Sequence, residues 1–300
     1  MPLPFTMNRY YVFTGRVGEV IPRRVRRVRI AESLKVVPAR AIQQHPNIQE
    51  IECHDGVEKI EQFAFSNCPS LRRLIMPGVK EVEKSAIYNC TALTHIECGK
   101  LEIIGAWAFC NCESLRSIDL PSARIVKEFA FHYCMNLKKV KFGIELESIR
   151  SFAFNYCRSL ERIALPLKDG LMQRDIDVFR GCIKLNRVDL VERSIVHETI
   201  AALLLEEWKN DMSNVIKKRN RELASAHSGP SFYAGGKSQA IRWWIRSVLR
   251  KIVEYKAEHR RYLNATTTAL QPALPDDIVL KNVLPFLFLE LPSYTFEGEN

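Results

Sequence analysis

One arrangement of residues returns every 22 to 25 positions through the middle of the chain, and it constrains the fold more than any other feature. An alanine and a large apolar residue are followed three places later by a cysteine and three further by a leucine. Apolar residues then stand three and usually five places beyond that leucine. The clean copies are Ala64-Phe65-Cys68-Leu71-Leu74-Met76, Ala86-Ile87-Cys90-Leu93-Ile96-Cys98, Ala108-Phe109-Cys112-Leu115-Ile118-Leu120, Ala130-Phe131-Cys134-Leu137-Val140-Phe142 and Ala153-Phe154-Cys157-Leu160-Ile163-Leu165. Weaker copies flank them, Ala41-Ile42-His45-Ile48-Ile51-Cys53 before and Val178-Phe179-Cys182-Leu185-Val188-Leu190 after, the second preceded by a charged insertion around Lys168 to Asp177. Atypical terminal copies are expected of a stack whose ends also face water.

The spacing dictates local structure. Two apolar residues two apart have strand periodicity, so each copy supplies one short strand with one face inward, and stacked copies make a parallel sheet. The Ala-Phe-x-x-Cys stretch, entered through Ile60, Val82, Ile104, Val126 or Ile149, returns the chain on the other side, where small Ala and Cys let turns approach and Phe fills the interior. Pro77, Gly99, Pro121, Gly143 and Pro166 end the strands. No single copy buries its own apolar stripe, so stability has to come from contacts between successive copies.

The run Phe63-Ala64-Phe65-Ser66-Asn67-Cys68-Pro69-Ser70-Leu71, echoed by Trp107-Ala108-Phe109-Cys110-Asn111-Cys112-Glu113-Ser114-Leu115, resembles the BspA-type leucine-rich repeat family over about residues 41–190. The flanks Tyr10-Tyr11-Val12-Phe13-Thr14-Gly15 and Ile241-Arg242-Trp243-Trp244-Ile245-Arg246-Ser247-Val248 are similar to those of a large group of algal proteins built on this repeat. The resemblance implies an α/β solenoid, a right-handed leucine-rich repeat coil of about seven turns with a parallel sheet on one face. It also implies protein binding, at cell surfaces in the secreted members.

In each strand the residues on either side of the central apolar position point away from the core and build two columns along the exposed face. One column is Glu50, Arg73, His95, Ser117, Lys139, Arg162 and Arg187; the other is Glu52, Ile75, Glu97, Asp119, Lys141, Ala164 and Asp189. The candidate partner-binding residues are the charged members and His95: Glu50, Glu52, Arg73, His95, Glu97, Asp119, Lys139, Lys141, Arg162, Arg187 and Asp189. Acidic residues dominate the early copies and basic ones the later copies, a pattern suited to a partner of opposite arrangement.

Four segments follow from these patterns: capping strands over 1–40, the solenoid over 41–195, a helical hairpin cap over 196–264 and an irregular tail over 265–300. Arg27-Val28-Arg29-Ile30 alternates as a strand, and Ile200, Leu203, Leu204, Trp208, Met212, Val215 and Ile216 recur at helical spacing. After the linker 228–237, Ile241, Ile245, Val248, Ile252, Tyr255, His259 and Tyr262 form a second helical stripe, with Trp208, Trp243 or Trp244 available to cover the solenoid's end. In the tail, the stretch from Leu274-Pro275-Asp276-Asp277-Ile278-Val279-Leu280 to Leu287 is similar to the opening of an F-box, which implies docking to a ubiquitin-ligase adaptor; Pro285 interrupts its helix.

The net charge of +10 is concentrated in residues 1–30 and 196–264, which admits nucleic acid or anionic lipid as a partner, though no aromatic-interleaved motif accompanies it. The stretch Val283 to Leu291 is too short to span a bilayer. No apolar run of signal-peptide length precedes Arg9 and Arg16, and the nine cysteines suit a reducing compartment, so an intracellular location, cytoplasmic or nuclear, is expected. The seven histidines stand apart from any nucleophile motif. Cys110-x-Cys112 and Cys53-His54 have no second pair at zinc-finger spacing, and Gly235-Gly236-Lys237-Ser238 lacks the upstream glycine of a phosphate loop. The expectation is a protein without catalytic residues, cofactor or metal.

Overall fold

The computed structural model describes residues 10–166, 168, 170–172 and 177–191, and beyond them 214, 217, 218, 220, 221, 238–243, 245–247, 250 and 261. The chain falls into two compact units, Met1–Val191 with Lys218–Ile245, and Glu192–Lys217 with Arg246–Asn300. The expected linker 228–237 and the tail 265–300, with its F-box-like stretch, lie outside the described residues, as does every residue of the first helical stripe. The described residues of 214–221 and 238–261 are helical.

The first unit is a solenoid of parallel strands. They are β1 (Tyr11–Phe13), β2 (Arg27–Ile30), β3 (Val36–Val37), β4 (Glu50–Glu52), β5 (Lys59–Ile60), β6 (Arg73–Ile75), β7 (Glu81–Val82), β8 (His95–Glu97), β9 (Ile103–Ile104), β10 (Ser117–Leu120), β11 (Ile125–Val126), β12 (Lys139–Phe142), β13 (Ser148–Ile149), β14 (Arg162–Pro166) and β15 (Arg187–Val191). The alternation in sequence sets their sidedness: in β10 and β12 the pattern runs exposed, buried, exposed, buried, with Ile118 and Leu120, or Val140 and Phe142, inward.

Three backbone ladders tie successive turns together. On one side β1, β2, β4, β6 and β8 pair in that order, then β10, β12, β14 and β15. On a second side the two-residue strands β3, β5, β7, β9, β11 and β13 form an uninterrupted sheet. The third ladder runs through the Ala-Phe turns, where the N–H of the large apolar residue donates to the carbonyl at the alanine position of the next copy, as from Phe65 to Ala86 and from Phe109 to Ala130, both at 2.8 Å, and from Phe154 to Val178. Each copy therefore satisfies its backbone polar groups with its neighbours'.

The long face is thus two sheets where the repeat leads one to expect one. At earlier steps a backbone N–H crosses just after the strand, from Cys53 to Ile75 and from Met76 to Glu97. At the step from β8 to β10 the Cys98 thiol reaches the Asp119 carbonyl instead, at 3.7 Å, and Ile96 is only half-buried.

Inside, the repeat residues form files. Phe109, Phe131, Phe154 and Phe179 are fully buried and stack ring on ring, with centroids 5.2, 5.1 and 5.5 Å apart. All nine cysteines are free and buried. The glycine that ends β12 is required by close approach: a Cβ on Gly143 would lie 1.7 Å from the Pro121 carbonyl oxygen of the preceding copy.

Beyond the last strand, two side chains meet the final turn. The Asn220 amide accepts from the Val188 N–H at 3.0 Å and donates to the Val188 carbonyl at 3.4 Å. The Ser238 hydroxyl accepts from the N–H groups of Val178 and Phe179 and donates to Asp177. Of the second helical stripe, Ile241 and Ile245 are buried, and its other residues lie outside the described ones, as do Trp208 and Trp244; Trp243 is 58% exposed.

Candidate binding face

The strand registers align the outward residues as the sequence predicts. Glu50 stands beside Arg73 and Arg73 beside His95, while Glu52, Ile75 and Glu97 form the parallel row. On the second sheet Ser117, Lys139, Arg162 and Arg187 are direct neighbours, as are Asp119, Lys141, Ala164 and Asp189. Eleven candidate residues read from sequence therefore lie on one side of the solenoid, six of them on the second sheet and five on the first.

The columns extend one copy further toward the N-terminus than the repeat motif alone indicated. Arg27 pairs in register with Glu50, and Arg29 with Glu52. Both were readable, because they stand 23 positions before those glutamates, at the period of the repeat. The guanidinium of Arg29 also lies 4.6 Å from the Tyr10 ring centroid.

These additions change the electrostatics of the first sheet. Arg27 lies 3.3 Å from Glu50 and Arg29 2.9 Å from Glu52; Arg73 reaches Glu50 at 3.6 Å and Glu97 at 2.9 Å; His95 meets Glu97 at 3.0 Å. The hydrogen bond from His95, with Arg73 beside it, holds the Glu97 carboxyl below its ordinary value. Arg27, Arg29 and Arg73 balance Glu50, Glu52 and Glu97, so the acidity expected of the early copies is neutralised by arginines on neighbouring strands. Such exposed pairs are worth only about 0–1 kcal/mol each.

The second sheet is arranged differently. Arg162 and Arg187 share one carboxylate, Asp189. Lys139 and Lys141 are exposed, and among the described residues neither has an ion pair. Arg116 and Lys138, at the entry to β10 and β12, are likewise exposed. The interruption between β8 and β10 coincides with this change from a neutral surface to a basic one.

Two histidines away from the face, His45 and His54, are engaged structurally. His45 is buried, with Nε2 3.2 Å from the Pro22 carbonyl, and burial lowers its pKa. The His54 Nε2 lies 3.1 Å from the carbonyls of both Ala31 and Leu34. Among the described residues no group of three or more His, Cys, Asp or Glu side chains is placed to hold a metal ion, and no helix is long and apolar enough to cross a membrane.

Comparison with known proteins gives a consistent picture. The model of the BspA type leucine rich repeat region matches six copies, over residues 23–125 and 80–199. No curated protein matches the chain. Among solved structures, a leucine-rich repeat protein of T. pallidum is 23% identical with a TM-score of 0.47, the match covering 60% of this chain and 83% of that one. A leucine-rich repeat protein of Bacteroides ovatus is 19% identical with a TM-score of 0.37, covering 57% and 56% of the two chains. A leucine rich cell surface protein of Faecalibacterium prausnitzii is 19% identical with a TM-score of 0.29, covering 57% and 61%.

Proposed function

The chain belongs to the BspA-type leucine-rich repeat family, and from that premise we propose that it is a non-catalytic scaffold that binds a protein on the long face of its solenoid. One observation carries the reading. The outward side chains of β4, β6 and β8, and of β10, β12, β14 and β15, are held in register by main-chain pairing, so a partner meets fixed rows of charge rather than independent side chains. A rigid platform lowers the ordering cost of association, which is the advantage of building a recognition surface on a sheet. Glu50, Glu52, Arg73, His95, Glu97, Asp119, Lys139, Lys141, Arg162, Arg187 and Asp189 form the surface in this proposal.

Site-specific photo-cross-linking tests it. A cross-linkable amino acid at Ser117, in the middle of the face, is expected to capture a protein that the same group at Lys127, beside the second-side sheet, does not. Equal capture from both positions, or capture only from Lys127, would remove the long face as the binding surface.

A further inference from the structure

We infer that the second half of the long face, across β12, β14 and β15, receives an acidic protein segment whose carboxylates sit over Lys139, Arg162 and Arg187. The inference rests on the scaffold reading and goes further by naming the half of the face and the chemistry of its occupant.

The contrast between the two sheets is the argument. In the first, the column alternates in sign, Arg27 beside Glu50 beside Arg73, and the registers make these neighbours ion pairs. In the second, Lys139 is the direct cross-strand neighbour of Arg162, and Arg162 of Arg187. Three cations in adjacent register positions repel one another, because side chains directly opposite on neighbouring strands come within about 5 Å. One carboxylate, Asp189, answers two of them, and Lys139 has none among the described residues. A fold that can place alternating charges in the same column of an equivalent sheet, and does so, has no structural need of three like charges here. Anionic groups from outside would relieve that repulsion.

The adjoining column decides the class of partner. It reads Asp119, Lys141, Ala164, Asp189, so carboxylates of the protein itself stand on either side of the cationic row's midpoint. A uniformly anionic polymer such as a nucleic-acid backbone, or a lipid surface, is repelled by Asp119 and Asp189 wherever it follows Lys139 and Arg187. A polypeptide can carry carboxylates over one column and neutral or basic residues over the other. The outward positions paired across β10, β12, β14 and β15 also offer no aromatic side chain on which bases could stack.

The experiment uses the full chain and a fluorescein-labelled peptide of glutamate and serine, compared with its glutamine counterpart, by anisotropy at several salt concentrations. The glutamate peptide is expected to bind about tenfold or more tightly than the glutamine peptide, with affinity falling as salt rises. Lys139→Glu with Lys141→Glu is expected to abolish the difference, and Arg29→Gln on β2 to leave it unchanged, with circular dichroism showing both variants folded. Failure to prefer the glutamate peptide, or wild-type preference in the double variant, overturns the inference. So does tighter binding of a DNA duplex or an anionic phosphatidylserine vesicle than of the peptide, which would assign the patch to phosphate. If the protein cross-linked from Ser117 is lost on Arg73→Glu and kept on Lys139→Glu with Lys141→Glu, the scaffold reading survives and this one falls.

Discussion

The thiol of Cys134 donates a hydrogen bond to the main-chain carbonyl of Phe109, one copy earlier, at 3.1 Å. The same bond joins Cys68 to Ile42, Cys90 to Phe65, Cys112 to Ile87, Cys157 to Phe131 and Cys182 to Phe154. The repeated cysteine is therefore small enough for close-packed turns and still a donor to the carbonyl of the preceding copy, which at Phe109 has otherwise only a longer bond from the Cys112 N–H, at 3.4 Å. Replacing Cys134 with alanine leaves the buried Phe109 carbonyl short of a partner and opens a void. Cys134→Ala is expected to lower stability by about 1–3 kcal/mol, read from the urea midpoint. An unchanged midpoint would show that the thiol is mere filler.

The buried thiols also set a pH limit. Burial pushes the Cys68 thiol up to about 11 and those of Cys53, Cys98 and Cys110 up to about 12, and it raises Cys90, Cys112, Cys134 and Cys157 as well. In the unfolded chain a thiol ionises near 8.5, roughly. Between that value and the folded pKa the unfolded state binds fewer protons than the folded one, so stability is intact below about pH 8.5 and falls as pH rises, by up to about 1.4 kcal/mol per unit for each thiol. Stability is expected to drop steeply between pH 9 and 10, roughly, in a denaturant series at stepped pH. A flat profile there would contradict burial of the file. Cysteine-directed alkylation at pH 8, roughly, should be slow in the native protein and rapid in urea.

The side chains of Asn220 and Ser238 stand where the backbone of another turn would. Asn220 supplies both an acceptor and a donor to Val188, and Ser238 accepts from Val178 and from Phe179, whose counterparts Phe65, Phe109 and Phe131 donate to the alanine carbonyl of the next copy. Asn220→Ala leaves the Val188 N–H, and Ser238→Ala the Val178 N–H, without its partner, while Phe179 keeps its bond to Asp177 Oδ1; each costs about 1–2 kcal/mol. The loss should be local. Amide exchange is expected to accelerate at Val188 in the first variant and at Val178 in the second, with little change at Phe109 or Phe131. Uniform acceleration along the whole solenoid would mean that the final turn is not a separate cooperative element.

How far the sequence could be read depended on which interactions repeat with its period. The files of Ala, Phe, Cys and Leu, and the two outward columns, follow from residue type and spacing alone, since period-two alternation has only one buried solution. The neutrality of the first sheet was legible in principle, in Arg27, Glu50 and Arg73 at equal spacing, but the weaker motif at 23–30 hid it. The division between β8 and β10 has no counterpart in the spacing: the Ala86 copy keeps the register of its neighbours. The turns were least visible, because φ is not a property of the hydrophobic pattern. Each copy but the last carries two residues with left-handed backbone four apart, as in Phe63 and Asn67, Trp107 and Asn111, or Phe129 and Tyr133. The second of each pair is asparagine in three successive copies, Asn67, Asn89 and Asn111, whose side chains hydrogen-bond in series, and that asparagine was the available signal.

The first of each pair is the more unusual, because a bulky residue at φ 55, as at Phe129, gives up about 1–2 kcal/mol of backbone free energy. The compensation is aromatic stacking along the solenoid. Phe129 lies between Trp107, at 4.3 Å between centroids, and Phe152, at 5.2 Å, with His132 edge-on at 5.4 Å. Two substitutions separate the backbone from the ring. Phe129→Ala and Phe129→Asn both lose the stacking, and both are expected to destabilise by about 1–3 kcal/mol. Alanine keeps the left-handed cost in full, whereas asparagine tolerates that region, so the asparagine variant should be the more stable of the two by about 0.5–1 kcal/mol. Thermal denaturation of the pair decides it: an alanine variant equal or superior to asparagine would mean that the turn relaxes out of the left-handed region once the ring is gone, and that the stack holds the conformation instead of offsetting its cost.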